Sequence, residues 1–243
     1  MTIENYDLET LKNIKKFNEI YLNDDEVQIW EELDNGCYIG TLGYSIENIY
    51  VLQSLLQSFA EQYGEEIDYD AAKEELNLYQ DRGKLFIYFD QNMKPVSMNG
   101  CIYNEDNISV DFKSDNKSNP SSLYFYGLST LHEFRGRGAC TELVKYASLY
   151  AYYNNFDFVY ARTDLKDSNS ESIMKKAGLE ICTFDDQIIA EWVDVTDTKG
   201  DYRLHMWMPL SKGLYTKPKK DAYLADLNTR EINNKSRQLK KVI

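Results

Sequence analysis

Long apolar runs are missing from this sequence. No stretch of 18 apolar residues occurs, so no transmembrane helix is expected. Paired cysteines are missing too. Cys37, Cys101, Cys140 and Cys182 are scattered, with no C-x-x-C spacing and no histidine at ligand distance in sequence. That argues against a disulfide framework or a zinc site and for reduced thiols in a cytosol. The N-terminal MTIENYDLETLKN has no basic stretch followed by an apolar one, so no secretory signal is expected and the expected location is cytoplasmic. Positive charge is scarce: 27 Lys and Arg stand against 40 Asp and Glu, a net charge of −13. Nucleic acid is therefore not an expected partner, because phosphate binding wants a basic surface. No internal repeat is visible.

The scarcity of positive charge is uneven. Residues 211–243 hold nine Lys/Arg and three Asp/Glu, which leaves −19 on the first 210 residues. An acidic body can steer a cationic substrate toward itself, although net charge alone favours the plainer role of maintaining solubility. At 243 residues, the chain has room for one large domain with appendages.

The pattern along the chain is mixed. DLETLKNIKKFNEIY (7–21) places Leu8, Leu11, Ile14, Phe17 and Tyr21 at helical spacing. NDDEVQIWEELDNG (23–36) reads as a second short helix ended by Asn35-Gly36. A strand is expected over 37–44, helices after Ser45 and near 70–81, and a hairpin of strands at 84–89 and 95–103. Residues 104–121 are polar and read as a loop, with room for a short strand at ISVDF. SLYFYGLSTL (122–131) is the strongest strand signal, and Gly127 within it marks a bulge or a close approach. A helix over 141–155, a strand over 156–163, a helix opened by the Ser168-x-x-Glu171 capping box and late strands at 179–184 and 202–210 complete the reading. The basic last 33 residues read as a partly mobile tail.

One stretch stands apart. LHEFRGRGACTELV (131–144) sets two arginines and two glycines between a strand and a helix. The first turn of a helix has unpaired N–H groups and a dipole that favours an anion. Glycines let that backbone come close, and arginines add forked donors. This is the chemistry of a pyrophosphate site. The P-loop pattern G-x-x-x-x-G-K-[ST] is absent, and the third glycine of G-x-G-x-x-G is replaced by Thr141.

The stretch resembles the acetyl-CoA motif [QR]-x-x-G-x-[GA] of the GCN5-related N-acetyltransferases (GNAT). Arg135 takes the first position and Gly138 the fourth, and Cys140 stands where Gly or Ala is usual. Downstream, Ser170, Ile173, Lys176 and Gly178 agree with a second family motif, while Asp167 and Met174 replace its usual Asn and Tyr. The resemblance covers residues 84 to about 184, and 45–83 loosely. It implies acetyl-CoA (coenzyme A) as cofactor, with the backbone of Leu128 and Thr130 along the pantetheine arm. It further implies that the amides of Arg135, Gly136, Arg137, Gly138, Ala139 and Cys140 lie around the pyrophosphate, with Ser170 and its helix flanking the far end of the cofactor.

The catalytic side is less marked. Met174 cannot donate a proton. Tyr124 stands where some members carry a glutamate base, and strand alternation puts Tyr126 on its face, so both are candidates for a proton relay as well as for plain packing. His132 precedes the loop where Pro is usual, His205 reads as packed, and Cys140 has no paired His or Asp in sequence.

These observations give an α/β (α+β) expectation: a GNAT-like single mixed, mostly antiparallel central sheet flanked by helices, with extra N-terminal helices. The divisions expected are a helical extension over 1–36, the acetyltransferase domain over 37–210 and a tail over 211–243. The expected activity is acetyl transfer to a primary amine, with a cationic acceptor as one candidate. The alternative is a non-catalytic acyl-CoA-binding or protein-interaction module. No metal, nucleic acid or membrane is expected, and the chain is expected to be a monomer or a homodimer.

Overall fold

The computed structural model describes residues 20–21, 27–61, 64–105, 109–164, 169–196, 199–220 and 222–226. They fall into two compact units, one drawn from 3–103 and 123–150, the other from 104–122 and 151–243 with the first two residues. Among the described residues are four α-helices, and none is long and apolar enough to cross a membrane.

The first unit is an antiparallel sheet covered on both faces. Its strands are β1 (Ile20–Tyr21), β2 (Val27–Glu32), β3 (Tyr38–Leu42), β4 (Gly83–Phe89), β5 (Pro95–Tyr103) and β7 (Ser122–Thr130), paired in that order. Helices α1 (Ile46–Ala60) and α2 (Tyr69–Arg82) start where the sequence supplies caps. Ser45 Oγ accepts from the amide of Asn48 at 3.1 Å, and Asp68 Oδ1 from that of Ala71 at 2.8 Å. Capping of this kind is worth about 1 kcal/mol.

Helical spacing then turns Ile49, Leu52 and Leu55 of α1 and Ala72, Leu76 and Tyr79 of α2 onto one sheet face, against Leu85, Ile87, Phe89 and Met98. Strand alternation sends Phe86 to the other face. There it meets Tyr146 and Tyr150 of α3 (Ala139–Tyr153), with ring centroids 6.0 and 5.4 Å apart.

In the second unit, β8 (Phe158–Asp164) pairs with β12 (Lys199–Pro209), and β12 pairs with β11 (Gln187–Thr196). The short β9 (Glu180–Ile181) joins β12, and β10 (Thr183–Phe184) joins β11. Helix α4 spans Asn169–Lys176. A two-stranded ribbon of β6 (Val110–Ser114) and β13 (Leu214–Pro218) adds Phe112, whose ring lies 4.3 Å from Phe158 and 5.6 Å from Trp207.

Three expectations need correction. The helix expected over 23–36 is strand β2 where it is described. Its pairing with β3 slips between Ile29 and Glu31, so Trp30 is an extra residue. That bulge breaks the alternation of two and leaves Val27, Trp30 and Leu33 at a helix-like spacing of three. The helical extension over 1–36 therefore fails in its described part, and 1–19, with the helix expected over 7–21 apart from its last two residues, lie outside the described residues.

The tail is likewise partly built. Leu214–Pro218 pairs with β6, and β14 (Tyr223–Asp226) pairs with β11. Finally, β11 had no counterpart in the sequence reading, and the strand expected over 179–184 is two short pieces.

Candidate functional site

Strand β7 ends in a 3-10 turn at His132–Phe134, and α3 begins at Ala139. The residues between make the Arg/Gly cluster. Gly136 and Gly138 have φ of +77° and +91°, the left-handed region that side chains disfavour, and a Cβ on either would meet nothing within 4 Å. The open space is thus solvent-facing backbone rather than room taken by neighbours.

The amide of Arg135 donates to the His132 carbonyl at 3.3 Å, so it is not available to a ligand. That corrects the expectation that Arg135 opens the row of free amides. The Glu142 amide donates to Gly138 at 3.1 Å. Between them, the amides of Gly136, Arg137, Gly138, Ala139, Cys140 and Thr141 make no hydrogen bond among the described residues. Six successive donors with the dipole of a 15-residue helix behind them form a cradle for an anion.

The two arginine side chains do different things. Arg135 Nη2 donates to the Ser58 carbonyl at 2.6 Å and lies 3.1 Å from Ser58 Oγ, and its Nε donates to the Thr130 carbonyl at 3.2 Å. Ser58 Oγ also donates to Thr130 at 2.8 Å, and Ser129 Oγ donates to the Leu55 carbonyl. Arg135 is therefore a strut that fastens the end of β7 to α1. Arg137 donates to the Glu133 carbonyl at 3.0 Å, and its guanidinium lies 5.0 Å from the centre of the Phe134 ring. With Ala139 it also lines a cavity of about 390 Å³ that includes Cys37, Tyr88 and Asp90.

Cys140 is held under the cradle. Its Sγ lies 2.8 Å from Thr130 Oγ1 and 3.5 Å from Ser97 Oγ. Burial pushes the thiol up, and the hydroxyl of Thr130 only partly offsets this, which disfavours the thiolate. Thr130 and Cys140 thus meet through side chains as well as bordering the cradle.

Upstream in β7 the pairing with β5 slips between Gly100 and Cys101, because Gly100 faces Gly127 while Cys101 faces Phe125. Tyr126 is the extra residue of this bulge. It is 46% exposed, whereas Tyr124 is 4% exposed. The bulge interrupts the simple alternation of the strand, and the two rings still meet edge to face at 6.0 Å. Gly127 does have the close neighbour its sequence position suggests: a Cβ there would lie 2.7 Å from the hydroxyl of Tyr79.

Leu128, Thr130 and residues 135–140 all belong to the first unit. Ser170 lies half-buried in the first turn of α4, in the second unit, with Met174 buried at 3% exposure in the same helix. Sequence reasoning missed Ser58 and Tyr79. The only signals for Tyr79 were the two glycines, Gly100 and Gly127, in otherwise bulky strands.

No family model and no curated protein matches the sequence. Solved structures do. The chain is similar to an acetyltransferase of the GNAT family from Bacillus anthracis, at 8% identity and a TM-score of 0.53, over 72% of this chain and 95% of that one. It is similar to a spermidine N-acetyltransferase from Vibrio cholerae solved with CoA and spermine, at 13% identity and 0.53, over 74% and 98%. A chain of the NatC complex bound to Gag peptide and CoA gives 15% and 0.52, over 72% and 99%. The fold is that of the GNAT acetyltransferases: mixed α/β, mostly antiparallel, with flanking helices.

Proposed function

We propose that the protein binds acetyl-CoA and transfers the acetyl group to an amine. The observation that carries this reading is the cradle of six unpaired amides from Gly136 to Thr141. A pyrophosphate fits it chemically, because its oxygens are acceptors and the site is all donors. The fold it shares with CoA-bound acetyltransferases supports the choice of coenzyme A over other phosphates.

In this reading the amides of Gly136 to Cys140 hold the pyrophosphate, and Arg137 adds charge beside it. Arg135 acts at one remove, by fixing the loop on α1. The backbone at Leu128 and Thr130 orients the pantetheine arm. Acetyl-CoA, when bound, supplies an activated thioester carbonyl. Of the two candidate tyrosines, Tyr126 is exposed and can pass the proton of the amine on toward water, while Tyr124 backs its ring. The acidic body, −19 over the first 210 residues, favours a cationic acceptor such as a polyamine, an aminoglycoside-like amine, or a lysine or N-terminus of a protein.

A second reading rests on Met174. Its side chain is apolar and buried where the family's proton-donating tyrosine is common, which favours an acyl-CoA-binding module without turnover. Calorimetry with acetyl-CoA, followed by thiol release with a panel of amines, separates the cases. Binding with thiol release is expected. Binding without release from any amine selects the second reading, and absence of heat with both acetyl-CoA and CoA overturns both.

A further inference from the structure

The cavity of about 390 Å³ beside the cradle has walls from the turn after β2, the β4–β5 turn and the loop before α3, all within the first unit. Its volume lies toward the lower end for small-molecule sites, about 300–1,000 Å³. Arg137 and Ala139 belong to the cradle and to the cavity wall at once. An anion held in the cradle therefore has the cavity next to it. A larger cavity bounded by Gln53, Gln57 and Glu66 shares no residue with the cradle.

The wall suits a flat, polar group without charge. Arg137 is its one cation and Asp90 its one carboxylate. Asp90 closes its own turn, because Oδ1 accepts from the amides of Asn92 and Lys94, both at 2.9 Å. Gln91 donates through Nε2 to the Asn35 carbonyl at 2.7 Å, which leaves its Oε1 without a partner among the described residues. The side-chain amide of Asn92 has no partner there either. An amide side chain presents a donor and an acceptor together, and the amino group and a ring nitrogen of adenine match that pair. Phe134 adds a half-buried ring of the kind on which a base stacks. Lys94 Nζ and the Arg137 guanidinium each lie 5.0 Å from its centre.

Coenzyme A carries pantetheine on one side of its pyrophosphate and adenosine on the other. The proposed function lays the pantetheine arm along β7, which leaves the nucleotide to be placed. We propose that the cavity beside Arg137 and Ala139 holds the adenosine of acetyl-CoA, with Asn92 and Gln91 at the edge of the base and Phe134 at its face. This rests on the acetyl-CoA reading. It departs from the resemblance, which carries the far end of the cofactor to Ser170 in the other unit.

Cys37 gives a native reporter. It is half-buried on the cavity wall, whereas Cys101 and Cys182 are buried and Cys140 lies under the cradle. The probes are acetyl-CoA and adenosine 3′,5′-bisphosphate, which has the nucleotide without the pantetheine arm. Each, at saturation, should slow labelling of Cys37 by methyl methanethiosulfonate about tenfold, read by mass spectrometry of its peptide, because a bound ligand covers most of a cavity this size. Asn92→Trp fills the cavity from an exposed turn position. It should weaken acetyl-CoA on the order of tenfold in calorimetry, as loss of a paired base edge does, with melting preserved. Unchanged labelling of Cys37 under acetyl-CoA that calorimetry shows to be bound overturns the placement of the adenosine and leaves the acetyl-CoA reading standing. Full affinity in Asn92→Trp does the same. Absence of acetyl-CoA binding to wild type overturns that reading and this inference with it.

Discussion

The buried carboxylates of the second unit and the loop amides of the first are treated in opposite ways. In the second unit, buried carboxylates are saturated. Asp157 accepts from Lys117 at 2.8 Å, from the Ser121 amide at 2.8 Å, and from the hydroxyls of Ser121 at 3.0 Å and Ser211 at 3.1 Å. Glu191 accepts from Arg162 at 2.8 Å and Ser109 at 3.4 Å, with His205 Nε2 at 3.6 Å. In the first unit, the whole side-chain amide of Asn99 is left without a partner, and six amides of the cradle stay open. Saturated groups hold a fold together. Open ones cost stability unless a ligand completes them. On the proposed reading, the open amides of the first unit wait for a ligand, while the buried carboxylates of the second hold the fold.

The hardest way to break that comparison is through Asp157. Asp157→Ala strips the partner from a lysine, a backbone amide and two serines at once. A loss of about 3 kcal/mol is expected, a fall in melting temperature on the order of 10 °C in scanning calorimetry. A near-neutral result would mean that the hub is ornament. Next in size is Gly138→Asp, which sets a carboxylate where the cradle expects an anion. Affinity for acetyl-CoA should fall at least about a hundredfold, some 2.7 kcal/mol, in calorimetry. The strain of φ +91° on a side chain costs only about 1 kcal/mol of stability, so the variant stays folded. Unchanged affinity would remove the cradle from the site.

Arg135 shows what a sequence can and cannot disclose. The cradle was legible because all its parts lie within a dozen residues, and local backbone rules decide their geometry. The strut was not, because its partner Ser58 is 77 residues away in sequence and nothing local distinguishes a guanidinium that binds phosphate from one that binds carbonyls. Strand β2 was misread for a related reason: its bulge at Trp30 imitates a helical spacing, and only pairing with β3 decides the matter. Strands β13 and β14 were hidden by lysines and Pro218, since their partners β6 and β11 lie far back along the chain. The bulge at Tyr126 was half legible, through Gly127, but the burial of Tyr124 and the reach of Tyr79 depend on packing that no window of sequence contains.

The strut can be separated from direct phosphate binding by two substitutions. Arg135→Lys keeps the charge and loses the fork. If Arg135 works by holding the loop, lysine and alanine at this position should cost similar stability, about 1–2 kcal/mol. Both should also weaken acetyl-CoA by a similar factor, smaller than that of Gly138→Asp. If lysine restored affinity while alanine lost it, Arg135 would be a phosphate ligand, and the division between open cradle and closed strut would fall.

Acidification should sharpen the comparison with the smallest effect. Burial works against the charged forms of Asp157 and Glu191. Lys117 and Ser121 outweigh it for the first, His205 and Arg162 for the second, and both carboxyls are held below their usual range. A carboxyl depressed in the folded state contributes stability that is present above its unfolded value, about 4, and lost as pH falls through the folded one. Glu75 and Glu31 of the first unit are shifted the other way by burial. Their charged forms are a cost at neutral pH that lessens as pH falls through their raised values. Between pH 6 and pH 3.5, hydrogen exchange should therefore accelerate in β11 and β12, relative to the intrinsic rate, while β4 and β5 hold or gain protection. Asp157→Asn should remove part of that contrast, since it takes one titrating group from the second unit only. Uniform loss of protection in both units would show that their buried carboxylates do the same work, and the reading of one unit as closed scaffold and the other as open site would lose its electrostatic support.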